Sequence, residues 1–143
     1  MAAVEPLLRD CLQTGLNEYI GLYGDKTKVT DPLTGLFNMR YFRRQLVDEF
    51  SRSQRYSHPL TMLMLDVDYF KNYNDRNGHP AGDIILKEIA QIIQAKCRQI
   101  DVVGRYGGEE FLILLPSSNA NAAAEQAQRL CKHMREMVIP INH

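Results

Sequence analysis

The chain reads RYGGEEFLILL from Arg105 to Leu115. Its two glycines permit a tight turn, and two carboxylates follow them directly. The apolar run after the carboxylates is typical of a buried strand. Adjacent carboxylates repel each other at a turn unless a positive charge lies nearby, and a metal ion or a metal-bound phosphate would supply that charge. A solvated acidic hairpin tip explains this stretch alone equally well.

A second acidic stretch favours the metal interpretation. The run LTMLMLDVD, from Leu60 to Asp68, is apolar until it reaches Asp66 and Asp68, as expected for a strand covered on both faces. Because a strand alternates its faces, both carboxylates can emerge on one side. Two acidic sites joined to strands suit Mg²⁺ held by few protein oxygens and by substrate phosphates. Alternatively, Asp68 only caps the segment that follows it.

Five short motifs then occur in order: Asp31–Asn38, Asp66–Lys71, Asn74-Asp75, Gly78-His79 with Gly82-Asp83, and Gly107–Phe111. In this order they resemble the GGDEF domain of diguanylate cyclases in its GGEEF form, from Asp31 to about Val138. The resemblance implies a nucleotidyltransferase that condenses two GTP molecules into cyclic di-GMP and releases pyrophosphate. It also implies a catalytic homodimer with one GTP per subunit and a sensor domain upstream in the parent protein.

The resemblance implies that three carboxylates are catalytic residues: Asp66, Glu109 and Glu110. Together with the backbone carbonyl of Val67, they form the expected metal site for Mg²⁺, or for Mn²⁺ in its place. Such an ion polarises phosphoryl oxygens and helps ionise the attacking 3′-hydroxyl. Because adjacent side chains of a strand point to opposite faces, Glu109 and Glu110 do not both face one ion if they belong to a regular extended strand. They therefore serve two ions, or one of them is the base, for which Glu109 is the better candidate.

The resemblance also implies a nucleotide site. The backbone amides of Tyr69, Phe70 and Lys71 follow the strand and suit phosphate oxygens. Asn74 and Asp83 match the family's guanine contacts. A carboxylate accepts from both N1–H and the 2-amino group of guanine, whereas adenine has an acceptor at N1 and no 2-amino group. Alternatively, Asp83 is the N-cap of the helix that follows it.

The stretch Arg98-Gln99-Ile100-Asp101 precedes the glycine turn. At this offset it resembles the RxxD site at which cyclic di-GMP inhibits the family's enzymes. Arg98 would bind guanine or phosphate bidentately, and Asp101 would accept from the guanine edge. The alternative is an arginine that ends a helix and an aspartate that opens a strand.

Composition narrows the possible classes of protein. The 143 residues suffice for one domain with a core, and the zero formal net charge argues against a nucleic-acid partner. Three cysteines, Cys11, Cys97 and Cys131, are odd in number and lack ligand spacing, which fits a reducing compartment. No apolar run has the length of a membrane span, so we expect a cytoplasmic segment without direct membrane insertion, although the parent protein could be anchored.

Apolar spacing predicts the elements of secondary structure. Residues 1–29 form a signalling or linker helix with its connector, and residues 30–143 form the GGDEF domain. Within that domain we expect a helix marked by Met39 and Phe42, a strand, a helix opening after Pro80, a hairpin around the glycines, and a final helix from Asn121. This order predicts an α/β sandwich of the nucleotidyl-cyclase and polymerase-palm type, with a central, mainly antiparallel sheet flanked by helices. By resemblance, a final strand–helix–strand segment is missing.

Three other functions compete with a diguanylate cyclase. A catalytically silent GGDEF module would bind cyclic di-GMP or GTP for regulation, but the intact motif Gly107–Phe111 argues against it. A cyclase that also accepts ATP conflicts with Asp83. A purely structural dimerisation domain leaves both acidic sites unexplained.

Overall fold

An antiparallel sheet with helices on both faces forms the part of the protein that the structure, a computed structural model, describes: residues 29–137. Its elements are α1 Met39–Tyr56, β1 Leu60–Asp66, α2 Phe70–Asn77, α3 His79–Lys96, β2 Val102–Arg105, β3 Glu110–Pro116 and α4 Ala120–Glu136. The strand order is β1-β3-β2, and β3 pairs antiparallel with both neighbours. The predicted α/β sandwich with an antiparallel sheet is thereby confirmed.

Most predicted elements are present, with ends shifted by a residue or two. The hairpin around the glycines joins β2 to β3, and α4 starts at Ala120. The predicted order omitted α2, an eight-residue helix. The predicted N-terminal helix, the domain boundary near residue 29 and the chain after residue 137 lie outside the described residues.

Strand β3 builds the core on both faces of the sheet. Phe111, Ile113 and Leu115 pack with residues of α3 and α4, whereas Leu112 and Leu114 pack against Phe42 and Leu46 of α1. These five side chains are completely buried. Because burial of one such side chain contributes about 1.5–3 kcal/mol, this strand anchors the fold.

Capping residues fix the starts of two helices. Asn38 accepts a hydrogen bond from the Tyr41 amide at 3.0 Å before α1, and Asn119 accepts one from the Ala122 amide at 2.9 Å before α4. These bonds satisfy amides that have no acceptor within the helix. No helix of the described part of the chain is long and apolar enough to cross a membrane.

Gly78 makes the corner between α2 and α3. It ends one helix and caps the next, with φ 87° and ψ 159°, a conformation that essentially only glycine adopts. Its amide donates to the Asn74 carbonyl at 2.7 Å. The corner therefore fixes how the two helices approach each other.

Gly104 brings α1 directly onto the backbone of β2. A Cβ at this position would lie 2.8 Å from Cδ2 of the buried Phe42. Gly104→Ala should therefore overpack the core and lower the free energy of unfolding by about 1–3 kcal/mol, measured by urea denaturation.

Gly108→Ala is the matched control for Gly104→Ala. A Cβ at the exposed Gly108 would meet open space, so this variant should change the free energy of unfolding by less than about 0.5 kcal/mol. Equal urea midpoints for the two variants would contradict the close packing of α1 on β2.

Candidate active site

The register of β1 and β3 places Asp66 opposite Glu110. Asp66 is the last residue of β1 and Glu110 the first of β3, and they are direct cross-strand partners. Side chains of such partners share one face of the sheet with Cβ atoms about 4.5–5.5 Å apart, so two carboxylates there repel each other. Neither carboxylate takes part in an ion pair within residues 29–137. The pair is therefore a site of uncompensated negative charge at the end of the sheet.

The other two predicted metal-site residues lie just beyond this pair. The Val67 amide donates to the Glu109 carbonyl at 3.1 Å, which extends the pairing into the turn. Across the described residues, no three His, Cys, Asp or Glu side chains gather to hold a metal ion. Two carboxylates and a backbone carbonyl still fit Mg²⁺, which usually keeps waters and phosphate oxygens among its ligands.

The predicted phosphate-binding amides lie at the start of α2. Tyr69 is its N-cap, with the left-handed φ of 58° and ψ of 24°, and this residue is 81% exposed. Tyr73 donates the first helical hydrogen bond, to Tyr69 at 3.0 Å, so the amides of Phe70 and Lys71 have no acceptor within the helix. A strained non-glycine residue beside free amides is typical of a functional turn. The alternative in which Asp68 caps this segment is wrong, because α2 has no side-chain cap.

The two predicted guanine contacts lie on either side of the Gly78 corner. Asn74 belongs to α2, and its Oδ1 atom is buried without a hydrogen-bond partner among residues 29–137. Asp83 is exposed within α3. The alternative in which Asp83 caps a helix is wrong, because α3 begins at His79 with Gly78 as its cap. The two residues therefore lie on neighbouring helices that the corner joins.

Arg98 and Asp101 form an ion pair after the end of α3. Arg98 donates Nη2–H to Oδ1 of Asp101 at 2.8 Å, and its backbone amide donates to Oδ2 at 2.8 Å. The same Nη2 reaches the Pro116 carbonyl and the Ser118 hydroxyl, each at 2.9 Å. The Asp101 side chain is completely buried, whereas that of Arg98 is 45% exposed. Only the arginine of this pair is therefore accessible to a ligand.

Arg105 supports the glycine turn, and no motif of the sequence singles it out. Its guanidinium donates to the carbonyls of Gly107 at 3.1 Å and Gly108 at 2.9 Å, and it forms an ion pair with Asp31 at 3.1 Å. Asp31 also accepts from the amide of Thr34 at 2.9 Å. Arg105 thus links the turn at Gly107 and Gly108 to the turn that contains Asp31 and Thr34. The only signal in the sequence is an arginine two residues before the glycines.

Cys97 does not supply a nucleophile. Burial, followed by the nearby Asp101 carboxylate, raises the pKa of the Cys97 thiol to about 11. That thiol is therefore protonated and unreactive at neutral pH. Cys131 is exposed on α4.

A family model described as "Diguanylate cyclase, GGDEF domain" matches residues 28–143. The chain is 42% identical over 113 residues to diguanylate cyclase A of Treponema denticola, covering 77% of this chain and 30% of that protein. The chain thus spans less than a third of the length of this relative.

Solved structures show the same fold. The diguanylate cyclase SiaD of Pseudomonas aeruginosa, solved with its activator SiaC, has a TM-score of 0.78 and 36% identity, covering 99% of this chain and 55% of that one. The GGDEF domain of DgcB from Caulobacter crescentus, solved with c-di-GMP, also has a TM-score of 0.78, with 26% identity and coverage of 84% and 70%.

The Asp31–Arg105 ion pair predicts a specific loss of stability in acid. Burial tends to raise the pKa of Asp31, but hydrogen bonds from Thr34 and Arg105 outweigh it and hold that pKa below its usual value of 3.8. The ionised group therefore stabilises the fold above about pH 4, and this contribution is lost as the pH falls through the lowered pKa. Asp31→Asn should lower the free energy of unfolding at pH 7 by about 1–2 kcal/mol and flatten its dependence on pH below 4.

Urea denaturation between pH 3 and pH 7 measures this effect. Asp48→Asn is the control, since Asp48 is an exposed carboxylate on α1 whose loss changes the net charge equally. If Asp31→Asn and Asp48→Asn gave the same pH profile, the ion pair would not hold the two turns together.

Proposed function

The chain belongs to the GGDEF domain family of diguanylate cyclases, and from this we propose that it joins two GTP molecules into cyclic di-GMP. The observation that carries the proposal is the opposition of Asp66 and Glu110, two carboxylates without a cationic partner among residues 29–137. Such a pair is unfavourable unless a cation binds it. GTP brings phosphate oxygens that complete the coordination of a divalent cation.

In the proposed reaction, Asp66, Glu110 and the Val67 carbonyl would hold Mg²⁺ or Mn²⁺. When bound, the ion supplies charge neutralisation on the phosphoryl oxygens. The 3′-oxygen of one GTP forms a bond to the α-phosphorus of the other, and the bond from that phosphorus to pyrophosphate breaks. Glu109, in the turn before β3, accepts the 3′-hydroxyl proton.

The remaining residues position the nucleotide in this proposal. The amides of Tyr69, Phe70 and Lys71 at the start of α2 donate to the phosphates, where the helix dipole favours negative charge. Asn74 and Asp83 contact the guanine. The exposed carboxylate of Asp83 accepts hydrogen bonds, which matches the donors on the guanine edge.

The composition of the product indicates that the protein acts as a homodimer in this proposal. Cyclic di-GMP contains two identical halves, so a homodimer with one GTP on each subunit brings both 3′-hydroxyls to the opposite α-phosphorus. We propose that this dimer forms in the cytoplasm under the control of a sensor domain elsewhere in the parent protein.

The second candidate function is a silent module that binds cyclic di-GMP or GTP and performs no chemistry. The half-exposed Arg98, held rigidly by Asp101, favours it, since a pre-oriented guanidinium suits guanine or phosphate. The same site on a working enzyme would give product inhibition. Turnover of GTP by the full-length protein separates the two candidates.

Substitution at the carboxylate pair tests the metal site. Asp66→Asn or Glu110→Gln should weaken Mn²⁺ binding in the presence of GTP, measured by electron paramagnetic resonance. In the full-length protein, Glu110→Gln should lower turnover at least about 100-fold, as loss of charge stabilisation in a transition state does.

Asp48→Asn is the matched control for the pair, because Asp48 is an exposed carboxylate on α1, outside the Asp66–Glu110 pairing. It should bind Mn²⁺ like the wild type. Wild-type Mn²⁺ affinity in both Asp66→Asn and Glu110→Gln would refute the site.

Substitution of Arg98 tests the inhibitory site. Arg98→Ala should weaken cyclic di-GMP binding about tenfold or more in titration calorimetry, because it removes a charge-assisted hydrogen bond. In the full-length enzyme it should relieve inhibition by product while initial turnover stays near that of the wild type.

Arg98→Ala also leaves the buried Asp101 carboxylate without its partner. The double variant Arg98→Ala/Asp101→Asn removes that unpaired charge and controls for unfolding. If a folded double variant bound cyclic di-GMP as tightly as the wild type, Arg98 and Asp101 would serve only to fasten α3 to the end of β3.

A further inference from the structure

Gly82 occupies a helical position where a glycine is not required by the backbone. It lies in the first turns of α3, is buried, and does not have a positive φ. Glycine is the least favourable residue inside a helix apart from proline, because it loses the most backbone freedom. Its presence therefore has a reason other than backbone conformation.

The reason is space for the side chain of Asn74. A Cβ on Gly82 would lie 2.8 Å from Asn74 Cγ and 3.1 Å from Nδ2, and closer still to Oδ1. Real Cβ atoms essentially never approach other atoms to less than 3.0 Å. The amide of Asn74 therefore lies directly on the α carbon of Gly82.

This contact leaves a polar atom without a partner. Asn74 Oδ1 is buried and accepts no hydrogen bond from residues 29–137. A buried acceptor normally has a donor, and this oxygen instead faces the α carbon of Gly82. The next residue after Gly82 is Asp83, whose carboxylate is exposed.

We propose that Gly82 is a positioning residue for base recognition: its missing side chain seats the Asn74 amide beside Asp83. The side-chain amide of Asn74 and the carboxylate of Asp83 are then placed together for the guanine edge. This inference rests on the proposed function for its ligand, and it adds that base selectivity depends on a residue that does not itself touch the base.

Four full-length proteins test it: wild type, Gly82→Ala, Asn74→Ala and the double variant. Competition binding of GTP and ATP gives the preference for guanine in each. Gly82→Ala should lower this preference about tenfold, as the loss of one hydrogen bond would, and to the same extent as Asn74→Ala. The double variant should be no worse than Asn74→Ala alone, because both changes remove the same contact.

Thermal unfolding supplies the second measurement. In the Asn74→Ala background the added methyl group has space, so Gly82→Ala should raise Tm by about 4 °C through its better helix propensity. Gln91→Gly, at an exposed position of α3, is the control. It should lower Tm and leave the guanine preference unchanged.

Each outcome bears on the inference. It would be overturned if Gly82→Ala lowered Tm equally with and without Asn74, since Gly82 would then only allow α2 and α3 to pack closely. A further loss of guanine preference in the double variant would also overturn it. A wild type without any preference for GTP would instead refute the guanine assignment, and the Tm values of the four proteins would still decide whether Gly82 seats Asn74.

Discussion

The antiparallel pairing of β1 with β3 is the constraint on which the rest of the structure depends. Seven cross-strand pairs, from Leu60–Pro116 to Asp66–Glu110, set one register. Packing on both faces enforces that register, because a slip of one residue would exchange the side chains of β3 that meet α1 with those that meet α3 and α4. The same pairing that buries the core therefore sets the two carboxylates opposite each other. Repulsion between them is a small cost compared with the two apolar clusters that β3 joins.

The sequence predicts those parts of the fold that local patterns specify. The strand before Asp66 and the hairpin around the two glycines follow from apolar runs and turn residues. Helix α2 was missed because Phe70 is its single buried residue, so it shows no apolar periodicity. The site residues themselves came from resemblance to a family. Their arrangement could not be predicted, since the opposition of Asp66 and Glu110 depends on pairing between distant segments.

Two arginines show why motif residues are hard to interpret from sequence alone. Arg105 holds the glycine turn through backbone carbonyls and Asp31, and Arg98 fastens the end of α3 to the end of β3. Both side chains thus stabilise loops that carry other candidate residues. The sequence shows a charge at each position, but partners such as the Pro116 carbonyl are main-chain atoms that only folding brings near. A structural role and a ligand-binding role are therefore compatible at Arg98.

The two halves of the candidate site are built from different parts of the chain, and one of them contains the corner at Gly78. Asn74, Gly78, Gly82 and Asp83 lie within ten consecutive residues, so this half is built by one helix–corner–helix segment. The carboxylate half instead needs two strands from separate parts of the chain. As a consequence, substitutions in the helix–corner–helix segment can alter base recognition while the pairing of β1 with β3 stays the same. The carboxylate half has no such freedom, because changing it means changing the sheet.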